Sequence, residues 1–436
     1  MVTSDQTVDL AERAWAWVLT QVRADEVGLW IPERVAADGT PSPLEDPYRD
    51  SIYLGLGSLA LTLDEIARYR AWTEEEQLLA DRILQRLTGA SDTSLTPGLS
   101  LGVGSNLTSM HILGAQPVGL DRLVALVTPD GWVDMDGDET LPCYDLLVGT
   151  AGVGLVLTYL DHNNATGGFP ATTWINYAID VLLAKASPTP TGLEWPMYAG
   201  DKWGMMPNYS HGTAGVAAAL AICGSYVGRA DAIDAAIAGA RHVVTIGDRS
   251  NNGFRVPTVV PKGDRDIEDF AYGWCHGPTG TAYLFGALAY AGIGEIDGIA
   301  CDEWIIRCLN AIQNSGVPQG IRPGFWDNDG RCCGTAGVLD FALDVLQRDP
   351  ARADVAYIDT LVSALVDRAV HDGPHSYWRF TEHRAEQQLL DPGVGWMQGA
   401  AGIAATLLRY SRVRADPTGA SRQVRPEAWW MCTMDV

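Results

Sequence analysis

Three cysteines stand at two places where a loop gives way to an apolar, helix-forming segment. Cys275 is followed by His276 and a glycine, and the adjacent pair Cys332 and Cys333 is also followed by a glycine. Three thiols at one locus suit a soft or borderline cation such as Zn²⁺, and three protein ligands leave a fourth position open, as in catalytic zinc sites. The sequence therefore predicts a metal site made by these cysteines, with His276 as an alternative ligand to any one of them.

Two other interpretations of the cysteines stay open, namely three unrelated buried thiols or a strained disulfide between Cys332 and Cys333. Their place at equivalent turns of neighbouring repeats favours a metal. Because helix N-termini stabilise thiolates, we expect the pKa values of these thiols to be lowered. Three thiolates would give a zinc site a net negative charge, which weakens it as a Lewis acid for hydrolysis but keeps a bound thiolate nucleophilic. The predicted chemistry is transfer of a substrate sulfur.

Further polar residues lie at turns of the same kind. His211 precedes another apolar segment and titrates near neutral pH, so it could donate or accept a proton; a hydrogen-bonded histidine at a helix start is the alternative. Asp145 is the one charge in an otherwise apolar stretch, and a buried carboxylate needs a partner; a helix cap is the alternative. Trp274 and His276 flank Cys275 and could line a substrate channel. His211, Asp145 and His276 are thus the candidate catalytic residues.

A seven-fold repeat of a glycine-rich turn and an apolar segment organises the chain. The later glycine of each turn stands at position 57, 104, 152, 215, 280, 337 or 402. These glycines provide either a positive φ or close backbone approach where the chain reverses. Apolar residues three and four apart predict second helices, most clearly at 8–24, 173–185, 230–246 and 302–314. Strand patterns are not prominent, so we predict an all-α fold, an α/α toroid of seven inner and seven outer helices whose turns converge on one cavity.

Composition narrows the classes of function. The chain has 436 residues and a formal net charge of −24, which argues against nucleic-acid and anionic-lipid partners. The first ten residues do not form a secretory signal, and the charge-free stretches 146–160 and 210–228 are better explained as buried helices than as transmembrane segments. Eight cysteines in a chain of this length do not indicate a disulfide scaffold. A reducing, cytoplasmic location is therefore expected.

Taken together, these motifs resemble the lanthionine synthetase C-like family, the cyclases of lanthipeptide biosynthesis. The resemblance rests on the seven glycine-rich helix starts, the segments 144–145 and 210–212 and the two cysteine motifs, in this order over roughly residues 8–411. It implies an α/α toroid with one catalytic Zn²⁺. It also implies addition of peptide cysteine thiols to dehydroalanine or dehydrobutyrine, which forms lanthionine or methyllanthionine thioether rings.

The resemblance also assigns roles to the candidate residues. Cys275, Cys332 and Cys333 would be the zinc ligands. His211 would be the acid that protonates the enolate after attack of the thiolate, and Asp145 would assist that proton transfer or orient the histidine.

This chain departs from the family pattern at two positions. Many members have Cys-His where Cys332 and Cys333 stand, so the third ligand here would be a thiolate, which should make a bound substrate thiolate more reactive. Ala271 replaces an arginine that is often found four residues before the first zinc cysteine. Any role of that arginine is absent or supplied by another residue, such as Arg255 or Arg322.

The repeats occupy nearly the whole chain, so we expect a single cyclase domain at 1–411 and a C-terminal tail at 412–436. Larger lanthipeptide synthetases fuse the cyclase to dehydratase, kinase or lyase domains. The resemblance here implies a free-standing cyclase that acts on a dehydrated precursor peptide made by separate dehydratases. The alternatives are a non-catalytic zinc–thiol or glutathione-binding relative and another zinc α/α-toroid transferase; a toroidal glycosidase would need a carboxylate pair at the turns, which is not evident.

Overall fold

The computed structural model describes residues 3–136, 139–200, 204–319, 328–382, 385–421 and 425–432. Within these ranges fourteen α-helices alternate between an outer and an inner position. The outer helices are α1 (Ser4–Gln21), α3 (Glu74–Thr93), α5 (Leu120–Ala125), α7 (Ala171–Lys185), α9 (Ala230–Ile246), α11 (Cys301–Gln313) and α13 (Val355–Arg368). The inner helices are α2 (Ser58–Tyr69), α4 (Val103–Ile112), α6 (Thr150–His162), α8 (Thr213–Val227), α10 (Pro278–Tyr290), α12 (Thr335–Arg348) and α14 (Ala400–Ala415).

The inner helices form a closed ring. Each packs against the inner helices before and after it, and α14 packs against α2, which closes the circle. The outer helices pack on the outside of this ring, as α9 does against α8 and α11 does against α10. The predicted all-α fold, a toroid of seven inner and seven outer helices, is confirmed.

Hydrophobic burial explains which helices lie inside. Helix α8 consists mostly of small and aliphatic residues, and all of its residues from 213 to 224 are buried. Helix α11 instead buries one stripe, which includes Trp304 and Cys308, and carries acidic residues in its first turn. The predicted outer helix at 230–246 has the same bounds in the structure, and the other three differ by no more than four residues. None of the described helices combines the length and the apolar composition needed to cross a membrane.

The turns that lead into the inner helices lie at one end of the toroid and are joined by backbone hydrogen bonds. The Met397 N–H donates to the Tyr53 carbonyl oxygen at 3.0 Å, and the Cys332 N–H donates to that of Met397 at 2.9 Å. The Cys275 N–H donates to the Cys332 carbonyl oxygen at 3.2 Å, and the Ser210 N–H to that of Cys275 at 3.1 Å. Tyr53, Cys332 and Cys275 therefore occupy equivalent places in their turns, and the predicted convergence of the turns is observed.

Close backbone approach is the reason for the glycines in these turns. Gly334, before α12, has an extended φ of −122°. A Cβ there would lie 2.1 Å from the carbonyl oxygen of Asn328, and one on Gly337 would lie 1.9 Å from that of Arg331. The corresponding glycines of α6, α8, α10 and α14 meet a loop carbonyl oxygen in the same way. Of the two reasons left open by the sequence, close approach rather than positive φ applies here.

Short hairpins, which the sequence does not indicate, connect several helices. In the described residues fifteen strands form seven small antiparallel sheets. They are β1 (Arg23–Asp25), β2 (Gly28–Trp30), β3 (Arg34–Val35), β4 (Pro41–Ser42), β5 (Val127–Thr128), β6 (Gly131–Asp136), β7 (Glu139–Pro142), β8 (Ser187–Thr189), β9 (Gly192–Glu194), β10 (Glu295–Ile296), β11 (Ile299–Ala300), β12 (Val370–Asp372), β13 (His375–Tyr377), β14 (Arg379–Thr381) and β15 (Leu389–Pro392). Most have two or three residues, which is too short for an alternating pattern to be recognised.

Residues 425–432 pack back against α10 and α12. Trp430 is fully buried, and its Nε1–H donates to the carbonyl oxygen of Tyr283 at 3.1 Å. The buried guanidinium of Arg425 donates to both carboxylate oxygens of Asp344 at 2.6 Å and to the Tyr283 hydroxyl at 3.0 Å. This part of the tail is therefore an integral piece of the core.

Candidate metal centre and active site

Three cysteine sulfurs converge at the end of the toroid where the inner helices begin. Cys275 lies in the turn before α10, and Cys332 and Cys333 lie in the turn before α12. Their Sγ atoms all lie within 4.8 Å of one another, and those of Cys275 and Cys332 are each 3.4 Å from that of Cys333. The three residues are only 3–4 % exposed. Among the residues that the structure describes, this is the one group of cysteine, histidine and acidic side chains that could hold a metal ion.

The spacing of the sulfurs fits a tetrahedral zinc site. A Zn–S distance of about 2.3 Å places two ligand sulfurs about 3.8 Å apart. The observed separations, from 3.4 Å up to a limit of 4.8 Å, span that value. Three buried thiolates would also carry a charge that needs a cation nearby. The residues present therefore fit a metal ion with one open coordination position.

The three thiols have unequal pKa values. Burial raises the pKa of Cys275 and Cys333 well above the usual value. Hydrogen bonds from Cys275, from Cys333 and from the Tyr53 hydroxyl hold the pKa of Cys332 well below it. The expectation that helix N-termini lower all three pKa values is therefore wrong. Burial outweighs the effect of the helix N-terminus at Cys275 and Cys333. Before α12, loop carbonyl oxygens also accept the first helical N–H groups, as in the 2.9 Å hydrogen bond from the Thr335 N–H to Asn328.

His211 and Asp145 form a hydrogen-bonded pair, with 2.7 Å between the histidine Nδ1 and the carboxylate Oδ2. The other oxygen of the fully buried carboxylate accepts the N–H groups of Val148 and Gly149, both at 2.9 Å. Because this carboxylate accepts hydrogen bonds, the Nδ1–H donates to it, and Nε2 is the ring nitrogen that Asp145 does not hold. A protonated His211 also favours the thiolate of Cys332. Asp145 thus both caps its own turn and holds His211.

His276 lies next to this pair and outside the cysteine cluster. Its ring centre is 5.7 Å from that of His211. The group of mutually close metal-binding atoms consists of the three sulfurs and does not include a His276 nitrogen. The backbone N–H of His276, however, interacts with the Cys275 sulfur and favours its thiolate form. The structure thus places the His276 side chain beside the catalytic candidates and does not bring it into the metal-binding group.

The position of the missing family arginine is filled by a buried alanine, Ala271. Arg255 forms an ion pair with Asp248 at 2.8 Å and donates a hydrogen bond to the hydroxyl of Tyr272. Its guanidinium is thus engaged with these two residues. Arg322 lies outside the described residues.

Tyr53 brings to the site a hydroxyl that the sequence motifs did not identify. It donates a hydrogen bond to the Cys332 sulfur at 2.9 Å. Burial, followed by the charge of the cysteine sulfurs, raises the pKa of the Tyr53 hydroxyl well above its usual value, so it remains a donor. The available signal was position, because Tyr53 opens the first glycine-rich turn as Cys275 and Cys332 open the fifth and sixth.

The class of this protein follows from its fold and its site, an α/α toroid that carries three cysteines and a histidine–aspartate pair where its inner helices begin. The model of the family described as "Lanthionine synthetase C-like protein" matches residues 46–415. The chain therefore belongs to the lanthionine synthetase C-like family.

Solved structures with a similar fold support the toroidal architecture. Nisin cyclase is 14% identical with a TM-score of 0.56, and the match covers 89% of this chain and 93% of that chain. A sugar epimerase from a ruminal bacterium is 10% identical with a TM-score of 0.53, over 94% of this chain and 98% of that one. D-mannose isomerase is 14% identical with a TM-score of 0.51, with the same coverage of 94% and 98%. These identities show the fold alone, and no curated protein matches the chain.

Proposed function

We propose that this protein is a zinc-dependent lanthipeptide cyclase. It would add peptide cysteine thiols to dehydroalanine or dehydrobutyrine residues and so form lanthionine or methyllanthionine rings. The observation that carries the proposal is the placement of three buried cysteine sulfurs and a histidine–aspartate pair at one end of the toroid. Membership of the lanthionine synthetase C-like family and the fold shared with nisin cyclase support the same reaction.

Cys275, Cys332 and Cys333 are the proposed zinc ligands. Their sulfurs are the mutually close donor atoms of the site, and their burial excludes most water. A zinc ion bound there would hold the substrate thiol in its nucleophilic thiolate form at neutral pH. The thiolate of Cys333, in place of the imidazole found in many relatives, adds negative charge that keeps the incoming sulfur electron-rich.

His211 is the proposed acid. Attack of the substrate sulfur on the β-carbon forms the C–S bond and moves the double-bond electrons into an enolate, which then needs a proton at its α-carbon. The Nε2–H of a protonated His211 can deliver that proton, because Nδ1 is held by Asp145 at 2.7 Å. Asp145 fixes the ring orientation and stabilises the protonated form. We assign His276 a contact with the peptide beside His211, because the centres of the two rings are 5.7 Å apart.

The proposed substrate is a dehydrated precursor peptide supplied by separate dehydratases. The net charge of −24 would attract basic segments of such a peptide. A cytoplasmic location is proposed because the site needs reduced thiols.

Counting free thiols tests the proposed reaction. The zinc-loaded protein is incubated with a dehydrated, cysteine-containing precursor, and the remaining peptide thiols are labelled with N-ethylmaleimide and counted by mass spectrometry. We expect one thiol to be lost for each ring formed, no loss with Cys332→Ala, and normal loss with Cys308→Ala, which removes a buried thiol from α11. An unchanged thiol count with the wild-type protein and its own precursor would contradict the proposal.

A further inference from the structure

Tyr53 reaches Cys332 across an intervening repeat. Tyr53 belongs to the first turn and Cys332 to the sixth, and Met397 of the seventh turn lies between them in the ring of backbone hydrogen bonds. The Tyr53 hydroxyl is 2.9 Å from the Cys332 sulfur. The side chain that donates to the cysteine cluster therefore comes from the first repeat of the chain, at the place where the toroid closes.

A donor at this place changes the reactivity of the sulfur that receives it. A hydrogen bond to a thiolate withdraws charge from the sulfur, fixes its direction and lowers its nucleophilicity. The backbone N–H of His276 favours the thiolate form of Cys275. Tyr53 supplies the corresponding donor for Cys332 from a side chain.

In the proposed reaction, the nucleophilicity of Cys332 has to be kept low. The three sulfurs lie within 4.8 Å of one another. A substrate sulfur bound to the same metal ion would lie beside them, so an electrophile that approaches the substrate sulfur would also approach the ligand sulfurs. Attack by Cys332 would form a C–S bond to the β-carbon of the dehydroamino acid. The double-bond electrons would pass to the enolate, a proton would add at the α-carbon, and the protein would be left alkylated.

We propose that Tyr53 is a positioning residue that prevents Cys332 from attacking the dehydroamino acid and so directs addition to the substrate thiol. This inference rests on the proposed function, since it assumes that a dehydroamino acid enters the site. The inference explains which sulfur attacks the dehydroamino acid. In it, Tyr53 acts through Cys332 and does not touch the substrate.

Alkylation of the protein tests this role without turnover. The zinc-loaded wild type, Tyr53→Phe and Tyr357→Phe are treated with N-acetyldehydroalanine methyl ester, and each cysteine is mapped by peptide mass spectrometry. Tyr357→Phe is the matched control. Tyr357 lies on outer helix α13, and its hydroxyl donates to the Val317 carbonyl oxygen at 2.9 Å. We expect alkylation of Cys332 to be about tenfold faster in Tyr53→Phe than in the wild type, and unchanged in the control.

A spectroscopic measurement reports on the hydrogen bond itself. In the cobalt-substituted protein, loss of a donor raises the energy of the sulfur lone pairs, so the sulfur-to-cobalt charge-transfer band of Tyr53→Phe should move to longer wavelength. A hydroxyl that only fills space would leave this band in place. The control variant should match the wild type.

Equal alkylation rates of Cys332 in Tyr53→Phe and the wild type would overturn the inference. So would an equal acceleration at all three cysteines, or a loss of folded structure in Tyr53→Phe, because the hydroxyl would then act through general stability. The zinc content of the wild type is measured first and tests the proposed function separately. The comparison is repeated after zinc removal by a chelator over a range of pH. The limiting alkylation rate of Cys332 at high pH, where loss of the donor no longer changes the amount of thiolate, is again expected to be faster in Tyr53→Phe, so the role of Tyr53 is tested whether or not zinc binds.

Discussion

The carboxylate of Asp145 connects the backbone of the third turn to the imidazole of the fourth. One oxygen accepts two backbone N–H groups and the other accepts the Nδ1–H of His211. The carboxylate is fully buried, so these hydrogen bonds take the place of water. The pair resembles in its logic the aspartate and histidine of a serine-protease triad, where the carboxylate sets the tautomer of the ring.

Asp145→Asn should impair catalysis and leave the metal site intact. The amide would present an N–H₂ group to His211 Nδ1, which forces the other tautomer and removes the stabilisation of the protonated ring. We expect kcat to fall by about 10²- to 10⁴-fold with little change in zinc content. Steady-state kinetics and metal analysis measure both. Asp161→Asn is the control, because the Asp161 carboxylate lies at the far end of α6, where it accepts a hydrogen bond from Tyr226. Equal losses in both variants would contradict the role of Asp145.

The types of residue in the sequence predict much of the site, and particular residues show where such prediction stops. The placement of Cys275 and Cys332 at equivalent turns was predicted from the repeat, because a thiol before a turn glycine is recognisable. Tyr53 was not, since a tyrosine at a helix start has no single chemical meaning. The unequal pKa values of the cysteines also could not be foreseen, because they depend on burial and on hydrogen bonds between residues distant in sequence.

The element that places the cysteines is the tight turn before each inner helix. In the turn before α12 the loop doubles back so closely that its carbonyl oxygens accept the first N–H groups of the helix in place of a side-chain cap. The repeat of glycines predicted these turns and the helices that follow them. The hairpins between helices were missed, because strands such as β3 and β4 have only two residues each.

Gly337→Ala should distort the turn that carries Cys332. The new Cβ would lie 1.9 Å from the carbonyl oxygen of Arg331, the residue before Cys332, so the backbone must move. We expect the free energy of unfolding to fall by about 2 kcal/mol or more, together with weaker zinc binding. Gly89→Ala is the control, because this glycine of outer helix α3 has open space around it, and alanine there should stabilise the helix by up to about 1 kcal/mol. Urea unfolding and zinc titration of both variants provide the measurement, and equal effects would rule out the close-approach explanation.

On the scale of the whole molecule, the C-terminal residues complete a buried network of charges. Asp344 is fully buried and accepts hydrogen bonds from Arg409 of α14 and Arg425 of the tail, each at 2.6 Å. Asp340 accepts hydrogen bonds from the same two arginines and, at 2.7 Å, from Arg331, which directly precedes the zinc-ligand candidates. Arg425 of the tail is therefore connected through Asp340 to Arg331, in the turn of the candidate metal centre.

Arg425→Met should destabilise the protein much more than a comparable change at an exposed pair. Removal of one partner leaves the buried carboxylate of Asp344 incompletely compensated, which should cost about 3 kcal/mol. Arg414→Met is the comparison, because its ion pair with Asp359 is 3.2 Å long and about one-third exposed, and should contribute less than about 1 kcal/mol. Unfolding free energies from urea titration separate the two. Equal, small losses would show that the tail does not contribute to the core as described.

The closure of the ring is the part of the architecture that the repeat predicted best. A row of similar units with buried inner helices must cover the apolar surface at its two ends, either by closing on itself, as here, or with polar capping repeats. The sequence of the tail indicates no role for it, since nothing there marks Arg425 as a buried residue. Its partners lie 81 and 85 residues earlier in the chain, and only the folded toroid brings them together.

X-ray absorption at the zinc edge tests most directly the claim that three thiolates hold a metal with one open position. We predict one zinc per chain with three sulfur ligands at about 2.3 Å and one lighter atom. Addition of a cysteine-containing peptide should replace the lighter atom with a fourth sulfur. A site with fewer than three sulfurs, or coordination that the peptide leaves unchanged, would contradict the account.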